Sequence, residues 1–262
     1  MAASKTFAVN AAFVTRQPLL YLVTDGRGRP AEWLLQHVRR CLDGGVDVVQ
    51  LRDKTLPDAD FQALAEAMLK MTDAYGVPLV INDRVDIATA IGAPSVHVGR
   101  KDGRVEDIKR RLHPDCFLGY SIDFDNQDAP IPAVADLLGI GPIWATRTKK
   151  DAAVPMGLQA LAAVNRRSTV PSVAIGGITA ANIGAVIEAG CIGAAVVGEL
   201  MDAEEPEAVA RQLKATMAAA MAACSRQRAA AGSGSGSGKG CRDGDGDAAD
   251  GEDDAAVPRA AE

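Results

Sequence analysis

No uninterrupted apolar run in the 262 residues approaches the roughly 20 needed to cross a bilayer, so no transmembrane helix is expected. Paired cysteines are missing too. Cys41, Cys116, Cys191, Cys224 and Cys241 are odd in number and far apart, with no Cys-x-x-Cys. That pattern argues for a reducing compartment, the cytoplasm, and against a disulfide framework or a structural zinc. Basic residues are not in excess: 28 Lys and Arg face 34 Asp and Glu, a formal charge of −6, which speaks against a general nucleic-acid binder. The segment Thr24-Asp25-Gly26-Arg27-Gly28 also lacks the Gly-x-Gly-x-x-Gly spacing of a dinucleotide-binding turn.

What is present is unevenly distributed. Of the 34 residues in 229–262, 8 are Gly, 8 are acidic, 3 are basic and only Val257 is a large aliphatic. Such a stretch buries too little apolar surface to offset the entropy of ordering it, so a disordered acidic Gly/Ser-rich C-terminal tail is expected there. It holds a charge of −5 and leaves −1 for everything before it. Residues 1–18 carry Lys5 and Arg16 and no acid; they fit a short N-terminal arm better than a transit peptide, having no amphipathic Ser/Arg pattern.

Over 19–228, short apolar runs alternate with longer segments of helical periodicity. The runs cover 19–23, 47–51, 78–81, 95–98, 116–120, 136–140, 172–175 and 194–197; the helical segments include 31–42, 58–74, 105–112, 158–166, 180–189 and 205–223. Runs that are for the most part continuous, rather than alternating, suit parallel strands buried on both faces. Eight strands with eight helical connections in about 210 residues predict an α/β fold, a single-domain (β/α)8 TIM barrel. An open doubly wound sheet is the competing arrangement, with more often roughly five to seven strands.

In such a barrel the chemistry gathers where strands end. Gln50, Arg52, Asp53 and Lys54 follow the second strand; Asn82, Asp83 and Arg84 the third; His97, Arg100, Lys101 and Asp102 the fourth; Ser121 and Asp123 the fifth. Thr146, Arg147, Thr148, Lys149 and Lys150 lie in a long loop, 142–156, after the sixth, suited to closing over a substrate. Arg52, Lys54, Arg84, Arg100, Lys101, Arg147, Lys149 and Lys150 would thus focus positive potential at one rim, for an anionic ligand.

Gly176-Gly177 and Gly198, after strands seven and eight, offer backbone N–H groups where barrels of this type commonly hold a phosphate; tight-turn glycines are the alternative. Asp83 and Asp102 fit a Mg2+ site, since that ion takes one or two carboxylates with waters and phosphate oxygens, or else form ion pairs with Arg84 and Lys101. His97 is open between a core histidine and a functional group. The cysteines suit packing, having no strand-end His partner.

Five motifs in register carry a family resemblance: Gln50-Leu51-Arg52-Asp53-Lys54, Ile81-Asn82-Asp83-Arg84, Val96-His97-Val98-Gly99 followed by Asp102, Gly141-Pro142-Ile143 through Lys149, and Ala174-Ile175-Gly176-Gly177-Ile178. Together they resemble thiamine phosphate synthases over about residues 20–217. The resemblance implies a Mg2+-dependent transferase. It would join 4-amino-2-methyl-5-pyrimidinylmethyl diphosphate to a thiazole phosphate, releasing diphosphate through a dissociative substitution. Its partners would be these small molecules, with no nucleic acid or membrane; association into a homo-oligomer stays open.

By the same resemblance, Gln50, Arg52, Lys54 and Asn82 bind the pyrimidine diphosphate, and Asp83 and Asp102 are the metal ligands. Ser121 contacts the pyrimidine and Lys149 neutralises the leaving diphosphate, these two being the catalytic residues. Thr146 and Thr148 hold the thiazole phosphate, with Gly177 and Gly198 offering backbone N–H groups. Four positions depart from the family pattern: Ser121-Ile122-Asp123 stands for Ser-Thr-His, Arg100 for Gln, Ala145 for Pro and Gly198 for Ser. Asp123 brings a negative charge toward the pyrimidine pocket. The rivals are a thiazole tautomerase-like isomerase and a barrel that binds thiamine phosphates without turnover.

Overall fold

Strands that are apolar on both faces need a cover on both faces, and a closed barrel ringed by helices supplies it. The computed structural model describes residues 17–146 and 154–233. Residues 1–16 of the expected arm 1–18, residues 234–262 of the expected tail 229–262, and Arg147, Thr148, Lys149 and Lys150 lie outside the described residues. The eight strands are β1 (Leu19–Val23), β2 (Val48–Leu51), β3 (Leu79–Asn82), β4 (Ser95–Val98), β5 (Phe117–Ile122), β6 (Leu137–Ile140), β7 (Ser172–Ile175) and β8 (Gly193–Val196). The helices are α1 (Ala31–Asp43), α2 (Asp58–Ala74), α3 (Val85–Ala90), α4 (Val105–Arg111), α5 (Gly157–Arg167), α6 (Ile183–Glu188), α7 (Gly198–Met201) and α8 (Pro206–Ser233).

Every neighbouring strand pair is parallel, and β1 returns to β8 from Leu19↔Gly193 to Leu22↔Val196, closing the barrel. Alternation along each strand separates two cores. Leu19, Tyr21, Val23, Val48, Val80, Phe117, Leu137 and Val173 point inward and fill the barrel. Leu20, Leu22, Val49, Leu51, Leu79 and Ile81 point outward against Val38 of α1, Phe61 and Met68 of α2 and Leu213 of α8. Each large aliphatic side chain fully buried this way contributes about 1.5–3 kcal/mol.

Two details differ from expectation. The connection from β5 to β6 contains no helix among the described residues, so the eight strands do not have eight helical connections. Pro130 and Pro132, with Asp123, Asp125, Asn126 and Asp128 before them, disfavour helix and favour side-chain-capped turns. The segment is tied down instead: the Asn126 amide donates to the Ser121 carbonyl (3.2 Å), and Arg167 of α5 donates to the carbonyls of Ala129 (2.9 Å) and Gln127. The second detail is α8, which runs to Ser233, past the boundary at 228. Its alanine-rich sequence favours helix even where residues 225–230 stand exposed. No helix among the described residues is long and apolar enough to cross a membrane.

The end of the barrel away from the strand C-termini is held by a buried carboxylate. Asp47, just before β2, accepts the Leu20 N–H (Oδ2, 2.8 Å) and pairs with Lys214 of α8. The Lys214 ammonium also donates to the Pro18 carbonyl (3.1 Å), so one side chain joins α8 to the starts of both β1 and β2. Lys214→Met would leave Asp47 buried without its cation. We expect a loss of about 2 kcal/mol in denaturant unfolding, less than for a fully buried pair because Lys214 is 29% exposed.

Candidate active site

The inner face of the barrel changes character toward the strand C-termini. Below are Leu19, Val48 and Phe117; above them an arc of polar side chains crosses five neighbouring strands. Register places it: Gln50 faces Val80, Asn82 faces His97, His97 faces Gly119, and Ser121 faces Gly139. In this arc the buried Gln50 amide donates to the Tyr21 hydroxyl (2.8 Å), and His97 Nε2 lies 2.9 Å from Ser121 Oγ. Burial pushes the Tyr21 phenol well above its ordinary pKa despite the bond from Gln50. It pulls the His97 imidazole down to about 4, against the opposing charge of Asp102. Both groups are therefore neutral at pH 7.

Tyr21 escaped the sequence analysis because it lies inside an otherwise aliphatic run, where it looks like one more core residue. The available signal was its parity with Leu19 and Val23, which turns its hydroxyl into the barrel interior.

Above the arc, β3 and β4 bring the two expected carboxylates together. Asp83 takes a left-handed backbone conformation (φ 61°), and its N–H donates to the His97 carbonyl (2.9 Å). Asp102 is fixed by the turn after β4, its Oδ2 accepting from the Gly99 N–H (2.7 Å). Burial raises the Asp83 pKa, and the facing Asp102 carboxylate, within hydrogen-bonding range, raises it further; Lys54 (Nζ–Oδ2 3.7 Å) and the Asn82 amide act the other way. The alternative pairing of Asp83 with Arg84 does not form. Arg84 points away from the mouth: it donates to Asp58 (2.6 Å) and to the carbonyls of Leu56 (2.6 Å) and Asp53 (3.1 Å), and lies over the Phe61 ring at 4.3 Å. It braces the β2–α2 loop and is lost from the cationic rim.

That loop presents Arg52 and Lys54. Asp53 shapes it by accepting from the Thr55 N–H (2.7 Å), the Thr55 hydroxyl (2.8 Å) and the Leu56 N–H (2.9 Å). Arg52 is anchored through its backbone to the Thr24 hydroxyl, at 2.9 Å from its N–H and 3.2 Å from its carbonyl. Arg52 is half-buried, and its guanidinium has no carboxylate partner among the described residues.

The long loop after β6 is pinned at its base, where the Met156 N–H donates to the Pro142 carbonyl (2.8 Å) and that of Gly157 to Ile143 (3.1 Å). Thr146 is half-buried on its first limb. Gly176 and Gly177 both take positive φ (98° and 65°), and a Cβ on Gly177 would meet the Ala145 carbonyl at 2.7 Å. Close passage of the β6 loop thus requires glycine here. The Gly177 N–H takes no part in the hydrogen bonds of the described residues. Gly198 begins α7 at the end of β8.

Two of the four departures from the family pattern meet in space. Arg100 lies 3.7 Å from Asp123 (Nε–Oδ1) and pairs with Asp125 as well. The negative charge at Asp123 arrives with its own counter-ion.

Residues 20–200 match the family model for thiamine monophosphate synthase. The chain belongs to this family. The thiamine-phosphate synthase of a Roseiflexus species is 40% identical over 204 residues, covering 78% of this chain and 86% of that one. That of Albidiferax ferrireducens is 43% identical over 198 residues, covering 74% and 90%. Among solved structures, thiamine phosphate pyrophosphorylase from Pyrococcus furiosus superposes with a TM-score of 0.70 at 27% identity, over 82% of this chain and 99% of that one. As a member of the thiamine monophosphate synthase family, the chain is an enzyme, a transferase that makes thiamine phosphate.

Asp53 gives a pH-dependent check on how this synthase holds its β2–α2 loop. Burial alone would raise the Asp53 pKa, but the N–H groups of Thr55 and Leu56, the Thr55 hydroxyl and Arg84 together lower it. A depressed folded-state pKa stabilises the fold above the ordinary carboxylate range, and that stability fades as pH falls through it. Asp53→Ala is therefore expected to lose about 1 kcal/mol of unfolding free energy at pH 7, with the gap to the parent protein narrowing toward pH 3.

Proposed function

We propose that the strand C-termini of this barrel bind 4-amino-2-methyl-5-pyrimidinylmethyl diphosphate and a thiazole phosphate. Thiamine phosphate forms as the C–O bond to diphosphate breaks and the thiazole nitrogen supplies its lone pair to the methylene carbon. The observation that carries this is the facing pair Asp83 and Asp102 with the Lys54 ammonium beside Asp83. Two carboxylates held together this way need positive charge, and a diphosphate needs the same charge from its other side.

The chemistry requires no activated protein nucleophile. It requires stabilised leaving-group charge and exclusion of water from an electron-poor carbon. Arg52 and Lys54 on the β2–α2 loop supply fixed charge for the diphosphate, and Lys149 takes the same role from the β6 loop as the bond breaks. Gln50 and Asn82 face the pyrimidine side, where Ser121 meets the ring. Thr146 and Thr148, with the N–H groups of Gly177 and Gly198, receive the thiazole phosphate. Hard oxygen donors in a pair suit Mg2+, so Asp83 and Asp102 would hold that ion, whose charge when bound further stabilises the diphosphate oxygens. The free buried thiols Cys41, Cys116 and Cys191 favour the cytoplasm as the working compartment.

The decisive assay supplies purified protein with both substrates and Mg2+ and follows diphosphate release. Turnover is expected, with kcat lowered about 10-fold or more by Asp102→Asn. Ligand binding without turnover would instead favour the non-catalytic barrel. A second measurement concerns the charge pair at the rim. Arg100→Gln leaves Asp123 partly uncompensated and is expected to raise KM for the pyrimidine diphosphate about 3-fold, with Asp123→Asn in the same chain restoring it.

A further inference from the structure

His97 occupies a slot that two other strands have been emptied to make. Its ring lies against Gly119 of β5 and Gly139 of β6. A Cβ on Gly119 would run into Nδ1, and one on Gly139 would stand 2.9 Å from Cε1, closer than non-bonded carbons tolerate. Neither glycine has a positive φ, so the ring, rather than the backbone, excludes a side chain at both positions.

Inside this slot the two ring nitrogens differ. Nε2 lies 2.9 Å from Ser121 Oγ, whereas Nδ1 is buried with no hydrogen-bond partner among the described residues. That orphan selects the tautomer. A buried N–H without an acceptor costs more than a lone pair without a donor, so the ring hydrogen belongs on Nε2. Nε2–H then donates to Ser121, occupying one lone pair of Oγ and turning the serine's own O–H away from the imidazole.

We infer that His97 is a positioning residue that acts through Ser121. It fixes the serine oxygen so that the hydroxyl hydrogen points out of the barrel floor toward an acceptor nitrogen of the bound ring. Gly119 and Gly139 complete the device by making room for the imidazole. The inference rests on the proposed synthase reaction for its substrate, and on the ligand-free fold for its geometry.

Two experiments separate those supports. In 15N-labelled ligand-free protein, long-range 1H–15N spectra are expected to show His97 as the Nε2–H tautomer, with its Nε2 resonance moved by Ser121→Ala. An Nδ1–H tautomer would overturn the inference whether or not the protein is active. In the kinetic arm, His97→Gln keeps an N–H near the Nε2 position and should hold KM for the pyrimidine diphosphate within about 3-fold of the parent. His97→Met has similar bulk and no donor, and should raise that KM about 10-fold while leaving KM for the thiazole phosphate unchanged. Adding Ser121→Ala to His97→Met should raise it no further. Equal losses in the Gln and Met variants, or effects that multiply with Ser121→Ala, would sink the inference. Parent protein that shows the Nε2–H tautomer but turns over nothing would instead overturn the synthase reaction and leave the His97–Ser121 geometry supported.

Discussion

The pairing of β1 with β8 turns a sheet of eight short strands into a closed surface, and the geometry at the mouth follows from that closure. Gly193 opposes Leu19 at the seam, and a side chain there would collide with the Leu19 carbonyl. Once the seam is shut, the inward direction is defined for every strand. Alternate residues of β2 through β5 then converge on one axis. Strands of four to six residues could not bring Gln50, Asn82, His97 and Ser121 together by local structure alone, since neighbours in this arc come from separate segments of the chain. Asp47 and Lys214 tie α8 to the starts of β1 and β2 at the far end, so stability is invested at one pole of the barrel and chemistry at the other.

The functional pole is correspondingly unfavourable for the empty protein. Asp83 and Asp102 are like charges brought close, one of them on a left-handed backbone. Neither arrangement helps folding, and both suit a binding site. Cations nearby divide into two populations. Arg84 is consumed by the loop it braces, while Arg52 is anchored through its backbone and, among the described residues, its guanidinium has no carboxylate partner. The useful charge of the rim is therefore smaller than the number of basic residues at the strand ends suggests.

Much of this was legible in the sequence. β1, β4 and β7 coincide with their predicted runs, because each is bounded on both sides by turn-forming residues. Asp83 and Asp102 were recognisable because a carboxylate just past a strand end has few places to go except the mouth. Direction was harder to read than position. Arg84 directly follows Asp83, yet the two side chains leave in different directions, and spacing alone carries no sign of that. The four-residue α7 is too short to show helical periodicity, and the β5–β6 connection was counted as helical although its prolines oppose it. The pairing of Arg100 with Asp123 lay hidden for another reason: it crosses between loops whose relative placement only the closed sheet determines.

The ring of His97 and the bare backbones at 119 and 139 also bear on how such a barrel can change over generations. Three positions on three strands share one volume, so they are not free to vary separately. A lineage that gains a side chain at 119 or 139 must first give up the imidazole, and one that gives up the imidazole inherits a void about the size of the ring. Passage between the two states runs through a sequence that is either overfilled or hollow at the floor of the site. That barrier would keep the trio together long after the identity of the ligand above it had begun to drift.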